Sequence, residues 1–121
     1  MDALSGGETT RVHCARTFAS ESPLLFADEP TTALDPRHQL EIMRLLKNYV
    51  TETRGALIVA HEPALAARFA DRLVWMKDGR IIADGSPTDT LTPTLLEQVY
   101  KVDARVSFND DRPHIDIIGL T

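Results

Sequence analysis

Two apolar runs in this chain each end in ionisable residues followed by proline. Leu24-Leu25-Phe26-Ala27 leads into Asp28-Glu29-Pro30, and Ala56-Leu57-Ile58-Val59-Ala60 leads into His61-Glu62-Pro63. Uninterrupted apolar runs of this length fit parallel strands covered on both faces. Ligands of open α/β sheets bind at the carboxyl ends of such strands. Neighbouring strands would therefore bring Asp28, Glu29 and His61 to one sheet edge. A carboxylate at that edge suits Mg2+, a hard cation that takes one or two carboxylates together with waters and phosphate oxygens. An adjacent glutamate on the opposite face can orient or deprotonate a water for in-line attack on a phosphate. A histidine opposite can hydrogen-bond the departing phosphoryl group. Singly, each strand end also reads as a plain helix-entry turn; the coincidence of two favours chemistry.

A second chemical element is Leu4-Ser5-Gly6-Gly7-Glu8. Two glycines at a helix start let a ligand approach the backbone closely, and the exposed N–H groups with the helix dipole attract an anion. The Ser5 hydroxyl adds a donor. Taken alone, a Ser-Gly-Gly turn is more often a simple loop-to-helix junction.

The elements that must position these groups follow from pattern. Ser5 as N-cap with Glu8 three residues later forms a capping box and starts a helix to about Ser20, with Val12, Ala15 and Ala19 on one face. Asp35-Pro36 is an N-cap followed by proline at the first helical position. Ile42, Leu45, Leu46, Tyr49 and Val50 then recur at helical spacing, and Arg54-Gly55 closes the helix. Strand, long helix and strand make a βαβ unit with right-handed parallel pairing. A short helix runs to about Ala70. Residues 72–76 and 80–83 around Asp78-Gly79 read as a tight hairpin, which gives the sheet an antiparallel portion. Gly85-Ser86-Pro87 reads as a loop and Thr92-Pro93 as the start of a helix to about Tyr100. Residues 105–108 and 115–118 read as short strands around a turn. The expected fold is α/β, organised as one domain over residues 1–121.

Composition sets the class. The chain has 121 residues, 43% hydrophobic and 26% charged, which is ordinary globular material. Thirteen basic against 18 acidic residues give a net charge of −5 and argue against nonspecific nucleic-acid binding. No apolar run approaches the roughly 18 residues of a membrane span. Cys14 is the single cysteine, so no internal disulfide framework exists, which suits a reducing cytoplasm. The four histidines show no metal-ligand spacing with it.

Together the motifs resemble the nucleotide-binding subunit of ATP-binding cassette (ABC) transporters. Leu4–Glu8 is similar to the family's signature motif, ending in Glu8 where Gln is usual. Leu24–Glu29 resembles the Walker B strand. That resemblance implies Asp28 as the magnesium-side carboxylate, Glu29 as the catalytic one, Ala33-Leu34-Asp35 as the D-loop and His61 as the switch histidine. Glu62 stands where Asp commonly follows that histidine. Order and spacing agree over nearly the whole chain. The implied fold is the C-terminal part of a P-loop NTPase (RecA-like) cassette, with ATP and Mg2+ as ligands. Its implied partners are a second cassette in a head-to-tail dimer and transmembrane permease subunits, with no nucleic acid. In that dimer Ser5, Gly6, Gly7 and Glu8 serve a nucleotide held by the partner, and Asp35 lies at the seam. The implied location is cytoplasmic, peripheral on the inner face of the membrane.

One family element is absent from these residues. No G-x-x-x-x-G-K-S/T occurs, and glycines 6, 7, 55, 79, 85 and 119 cannot supply one. Without that backbone cradle and its lysine, the isolated chain is expected to bind ATP poorly and to lack significant ATPase activity. Residues 66–72, the hairpin to Gly85, and Leu91-Thr92-Pro93 with Val99-Tyr100 resemble importers of iron-siderophore, haem or cobalamin. Two other readings are a non-catalytic half-cassette that pairs with a full one, and a soluble cassette protein of DNA repair or translation. The acidic balance and the short, coil-free connection between the signature-like motif and the Walker B-like strand disfavour the last.

Overall fold

A computed structural model of the chain describes residues 24–121. The expected N-terminal helix, with Ser5, Gly6, Gly7 and Glu8, lies outside the described residues. The described elements run β1 (Leu24–Asp28), α1 (Pro36–Tyr49), β2 (Gly55–Val59), α2 (Pro63–Phe69), β3 (Leu73–Lys77), β4 (Arg80–Gly85), α3 (Pro87–Thr90), α4 (Pro93–Tyr100), β5 (Val102–Asn109) and β6 (Arg112–Leu120). The chain divides into two compact units, one ending at His61 and one running from Glu62 to Thr121.

In the first unit β1 and β2 pair in parallel, in register from Leu24 opposite Gly55 to Asp28 opposite Val59. The helix α1 makes the crossover and packs on β2. Side chains alternate across a strand, so Leu25 and Ala27 share one face with Ala56 and Ile58. There Leu25, Ile42 and Leu46 are fully buried, with Met43 and Tyr49 beside them. Arg54, at the turn into β2, stacks its guanidinium 4.9 Å from the Tyr49 ring centroid. The other face carries Leu24, Phe26, Leu57 and Val59, and here the expectation of two-sided burial fails: Leu24 is 60% exposed and Phe26 58%. Among the described residues one helix, α1, packs on this pair and covers one face. Leu45 also points to solvent while Met43 takes the buried position, because the stripe facing β2 is centred between positions 42 and 46.

The second unit is antiparallel. Strands β3 and β4 pair only with each other, as do β5 and β6, so every sheet among the described residues has two strands. The expected hairpin is present but does not extend the parallel sheet. Its turn places Asp78 at φ 51 and Gly79 at φ 75, the doubly left-handed turn whose twist matches two strands joined by two residues. The second hairpin does the same with Asp110 at φ 50 and Asp111 at φ 64. Its strands outrun the expected short segments because cross-strand pairing continues to Val102 opposite Leu120.

The core of this unit is Ala67, Leu73, Trp75, Leu91, Leu95, Leu96 and Ala104, with Val99, Val106, Phe108 and Ile115 packed around it. The expected Gly85–Pro87 loop instead enters a one-turn helix, α3. Ser86 caps it by accepting from the Asp89 N–H at 3.2 Å. That turn lets Thr90 accept from the buried Trp75 Nε1 at 3.0 Å and donate to the Ser86 carbonyl at 2.9 Å. All four described helices begin on a proline: Pro36, Pro63, Pro87 and Pro93.

Arg72 and Asp84 clamp the β3–β4 hairpin through bonds of 2.6 and 2.5 Å. The Arg72 hydrogen bond and its charge hold the Asp84 carboxyl below its ordinary value, against a smaller opposing effect of desolvation. The folded-state value is thus depressed. Its contribution to stability is present above the unfolded-state value and disappears as pH falls through the folded-state value. Both groups are exposed at the surface, so the effect is small. Thermal unfolding followed between pH 6 and pH 2 should show an acid decline that Asp84→Asn makes shallower; equal slopes for the two proteins would remove the clamp from the account.

Candidate functional site

The site is built at the carboxyl ends of β1 and β2. Asp28 closes β1 opposite Val59, on the exposed face of the pair. The chain then turns sharply. Glu29 adopts φ 50, a left-handed conformation that costs a non-glycine residue about 1–2 kcal/mol. Such strain gathers where surrounding structure over-determines a functional position. Here the Glu29 N–H donates to the Val59 carbonyl at 2.7 Å, which carries the pairing one residue past the strand. The Thr32 N–H closes the turn onto the Glu29 carbonyl at 3.2 Å. Pro30 and Thr31 are buried beneath it.

The turn delivers the Glu29 side chain to His61, just past the end of β2. His61 Nε2 contacts Glu29 Oε1. An ionised carboxylate can only accept, so this contact puts the imidazole proton on Nε2. The Thr32 hydroxyl lies 3.4 Å from the other oxygen, Glu29 Oε2. Glu29 therefore has one neighbour on each carboxylate oxygen while remaining partly open to solvent, its side chain 38% exposed.

Asp35 stands two overlapping turns further on, the second closed by the Leu34 N–H on the Thr31 carbonyl at 3.3 Å. Ala33 within it sits at φ 65. Asp35 is the N-cap of α1: its Oδ1 accepts from the His38 N–H at 2.9 Å and lies 2.8 Å from His38 Nδ1. The expected cap therefore also touches the imidazole of the helix it starts. Asp35→Ala should cost about 1 kcal/mol of stability, with Asp35→Asn retaining most of it. A urea midpoint for Asp35→Ala equal to wild type would show that the cap is dispensable.

Of the residues singled out from sequence, Asp28, Glu29 and His61 come together at one edge and Asp35 follows at the next helix start. Two neighbours, Thr32 and His38, were not among them. Each lies three residues beyond the carboxylate it faces, a spacing that a turn or a helix cap converts into contact. Among the described residues no group of three or more His, Cys, Asp or Glu could hold a metal by itself. A single carboxylate with waters and the oxygens of a phosphate is a donor set that Mg2+ commonly takes. No described helix is long and apolar enough to cross a membrane.

No family model matches the sequence. The chain is 40% identical over 124 residues to the hemin import ATP-binding protein HmuV of Pseudoalteromonas translucida, covering 94% of this chain and 48% of that protein. It is 46% identical over 100 residues to HmuV of Streptomyces coelicolor, covering 83% of this chain and 36% of that protein. It is 42% identical over 107 residues to the iron(3+)-hydroxamate import ATP-binding protein FhuC of Bacillus subtilis, covering 88% and 40%. The chain thus spans half or less of the length of these relatives. Among solved structures, an inward-facing metal-chelate type ABC transporter superposes with a TM-score of 0.78 over 99% of this chain and 49% of that one, at 23% identity, a likeness of fold. The ATP-binding cassette MJ0796, a dimer in a post-hydrolysis state bound to ADP and Pi, superposes with a TM-score of 0.63 at 38% identity, covering 69% of this chain and 36% of that one. Sequence and fold agree: the chain is homologous to ATP-binding proteins of ABC importers and matches the C-terminal half of their cassette.

Proposed function

We propose that this chain forms part of an ATP-hydrolysing subunit of an ABC importer for haem or a ferric siderophore. In this reading residues 1–121 are one part of a single cassette. The contact between Glu29 and His61 beside Asp28 carries the reading. It unites, at the ligand-binding edge of a parallel pair, a carboxylate for a cation, a carboxylate for a water and an imidazole N–H donor. Asp28 would hold Mg2+, which when bound screens phosphate charge. Glu29 orients the attacking water and takes up its proton. His61 steadies Glu29 through its Nε2–H and, on leaving that contact, would offer the same N–H to the phosphoryl group. Ser5, Gly6, Gly7 and Glu8 serve the nucleotide of a second cassette, and Asp35 lies at the seam between the two. Permease subunits carry the solute, and the chain works on the cytoplasmic face of the membrane without nucleic acid.

The relatives' names support the importer class, since they are hemin and iron(3+)-hydroxamate import ATP-binding proteins. The lack of a G-x-x-x-x-G-K-S/T within these residues bears on how the site works. The phosphate-binding loop must come from elsewhere in the assembly, so the purified 121-residue chain should show negligible ATP turnover. Robust turnover by the pure chain would overturn that division of labour. A competing reading, a non-catalytic half-cassette, draws on the same missing loop. It requires that replacing Glu29 leave hydrolysis by the assembly unchanged, and the two readings part on that measurement.

A further inference from the structure

We propose that Thr32 is a positioning residue for the Glu29 carboxylate, holding the oxygen opposite the one that His61 holds. The inference rests on Glu29 being the water-activating group. A carboxylate touched on one oxygen can still swing about that contact. A donor on the second oxygen fixes its plane, and with it the direction in which the remaining lone pairs face. Glu29 has that arrangement: His61 Nε2 at Oε1 and the Thr32 hydroxyl 3.4 Å from Oε2. Each carboxylate oxygen has two lone pairs, so both donors can be satisfied with capacity left for a water.

The alternative is that the hydroxyl only finishes its own turn. The backbone already does that, through the Thr32 N–H on the Glu29 carbonyl at 3.2 Å and the Glu29 N–H on the Val59 carbonyl at 2.7 Å. Thr31, not Thr32, is the threonine that packs inward, at 7% exposed. Thr32 itself is exposed. Its hydroxyl is therefore free of packing duty, and its three-residue offset places it on the carboxylate.

The test uses Thr32→Val, which keeps the shape, and Thr32→Ser, which keeps the hydroxyl. In the 121-residue chain, the Glu29 side-chain carboxyl carbon and His61 Nε2 are followed by NMR. Thr32→Val should displace both signals and Thr32→Ser should return them toward wild type, with the unfolding midpoint unmoved in either. In the assembled transporter, Thr32→Val should lower kcat for ATP about tenfold with KM within about twofold, and Thr32→Ser should recover most of it. Signals unmoved by Thr32→Val overturn the proposal. So does an unchanged kcat in an assembly that Glu29→Gln silences. An assembly in which wild type itself hydrolyses nothing defeats the functional reading instead, and the NMR comparison still decides whether Thr32 holds Glu29.

Discussion

Glu29→Gln should reduce ATP hydrolysis by the assembled transporter roughly 10²- to 10⁴-fold, the range that positioned general bases contribute, with little change in ATP affinity. The amide matches the carboxylate in size and leaves the turn intact, because that turn is held by backbone bonds to Val59 and Thr32. What changes is proton chemistry. A glutamine oxygen can still accept from His61, but it cannot take a proton from water. Loss of kcat at constant KM marks an interaction made in the transition state rather than in the ground state. Turnover that survives the substitution would transfer the chemistry to another group and reduce Glu29 to a turn residue. His61→Ala makes a useful companion, since it removes the contact on Oε1 while keeping the base.

Trp75→Ala should destabilise the Glu62–Thr121 unit by about 3–5 kcal/mol, the usual cost of emptying an aromatic site in a packed core. Trp75 is 8% exposed and is surrounded by Leu73, Leu91, Leu95, Leu96 and Ala104. Its indole N–H also ends a buried bond to Thr90. Domains commonly hold about 5–15 kcal/mol in total, so a loss of this size leaves the unit near its melting point. Trp75→Phe separates the contributions, keeping most of the volume and losing only a hydrogen bond of about 1 kcal/mol. Circular dichroism in urea is the proper readout, because Trp75 is the chain's single tryptophan. A midpoint for Trp75→Ala within error of wild type would place the core elsewhere.

The parts of the site legible in sequence were those set by strong local rules. Two apolar runs ending in charge gave the parallel pair and its acidic edge. Asp35-Pro36 gave the start of α1, and Asp78-Gly79 gave a hairpin. Less legible were properties that depend on what lies across from a residue. Leu45 has the same apolar character as Leu46 yet points outward, because the stripe's centre is set by the sheet beneath. Leu24 and Phe26 look like core residues and are exposed, since strand pattern says which residues share a face but not whether that face is covered. The one-turn α3 was hidden in a Gly-Ser-Pro stretch, where cap and loop have the same composition. Thr32 and His38 became visible only once turn and cap geometry set them beside Glu29 and Asp35.

The prolines that open all four described helices have a consequence for how such a chain can vary. Proline has no N–H to give and a fixed φ, and it drives the preceding residue into extended backbone. The residues before Pro36, Pro63, Pro87 and Pro93 all have that conformation. No helix can lengthen backward into the segment before it, and none can slide by a residue to start elsewhere. For α1 and α2 that segment is the acidic edge itself, which ends at Asp35 on one side and at His61-Glu62 on the other. Substitutions along the packing faces of these helices can therefore accumulate without re-indexing the edge residues. Mutational drift in the body of the helices is uncoupled from the register of the site.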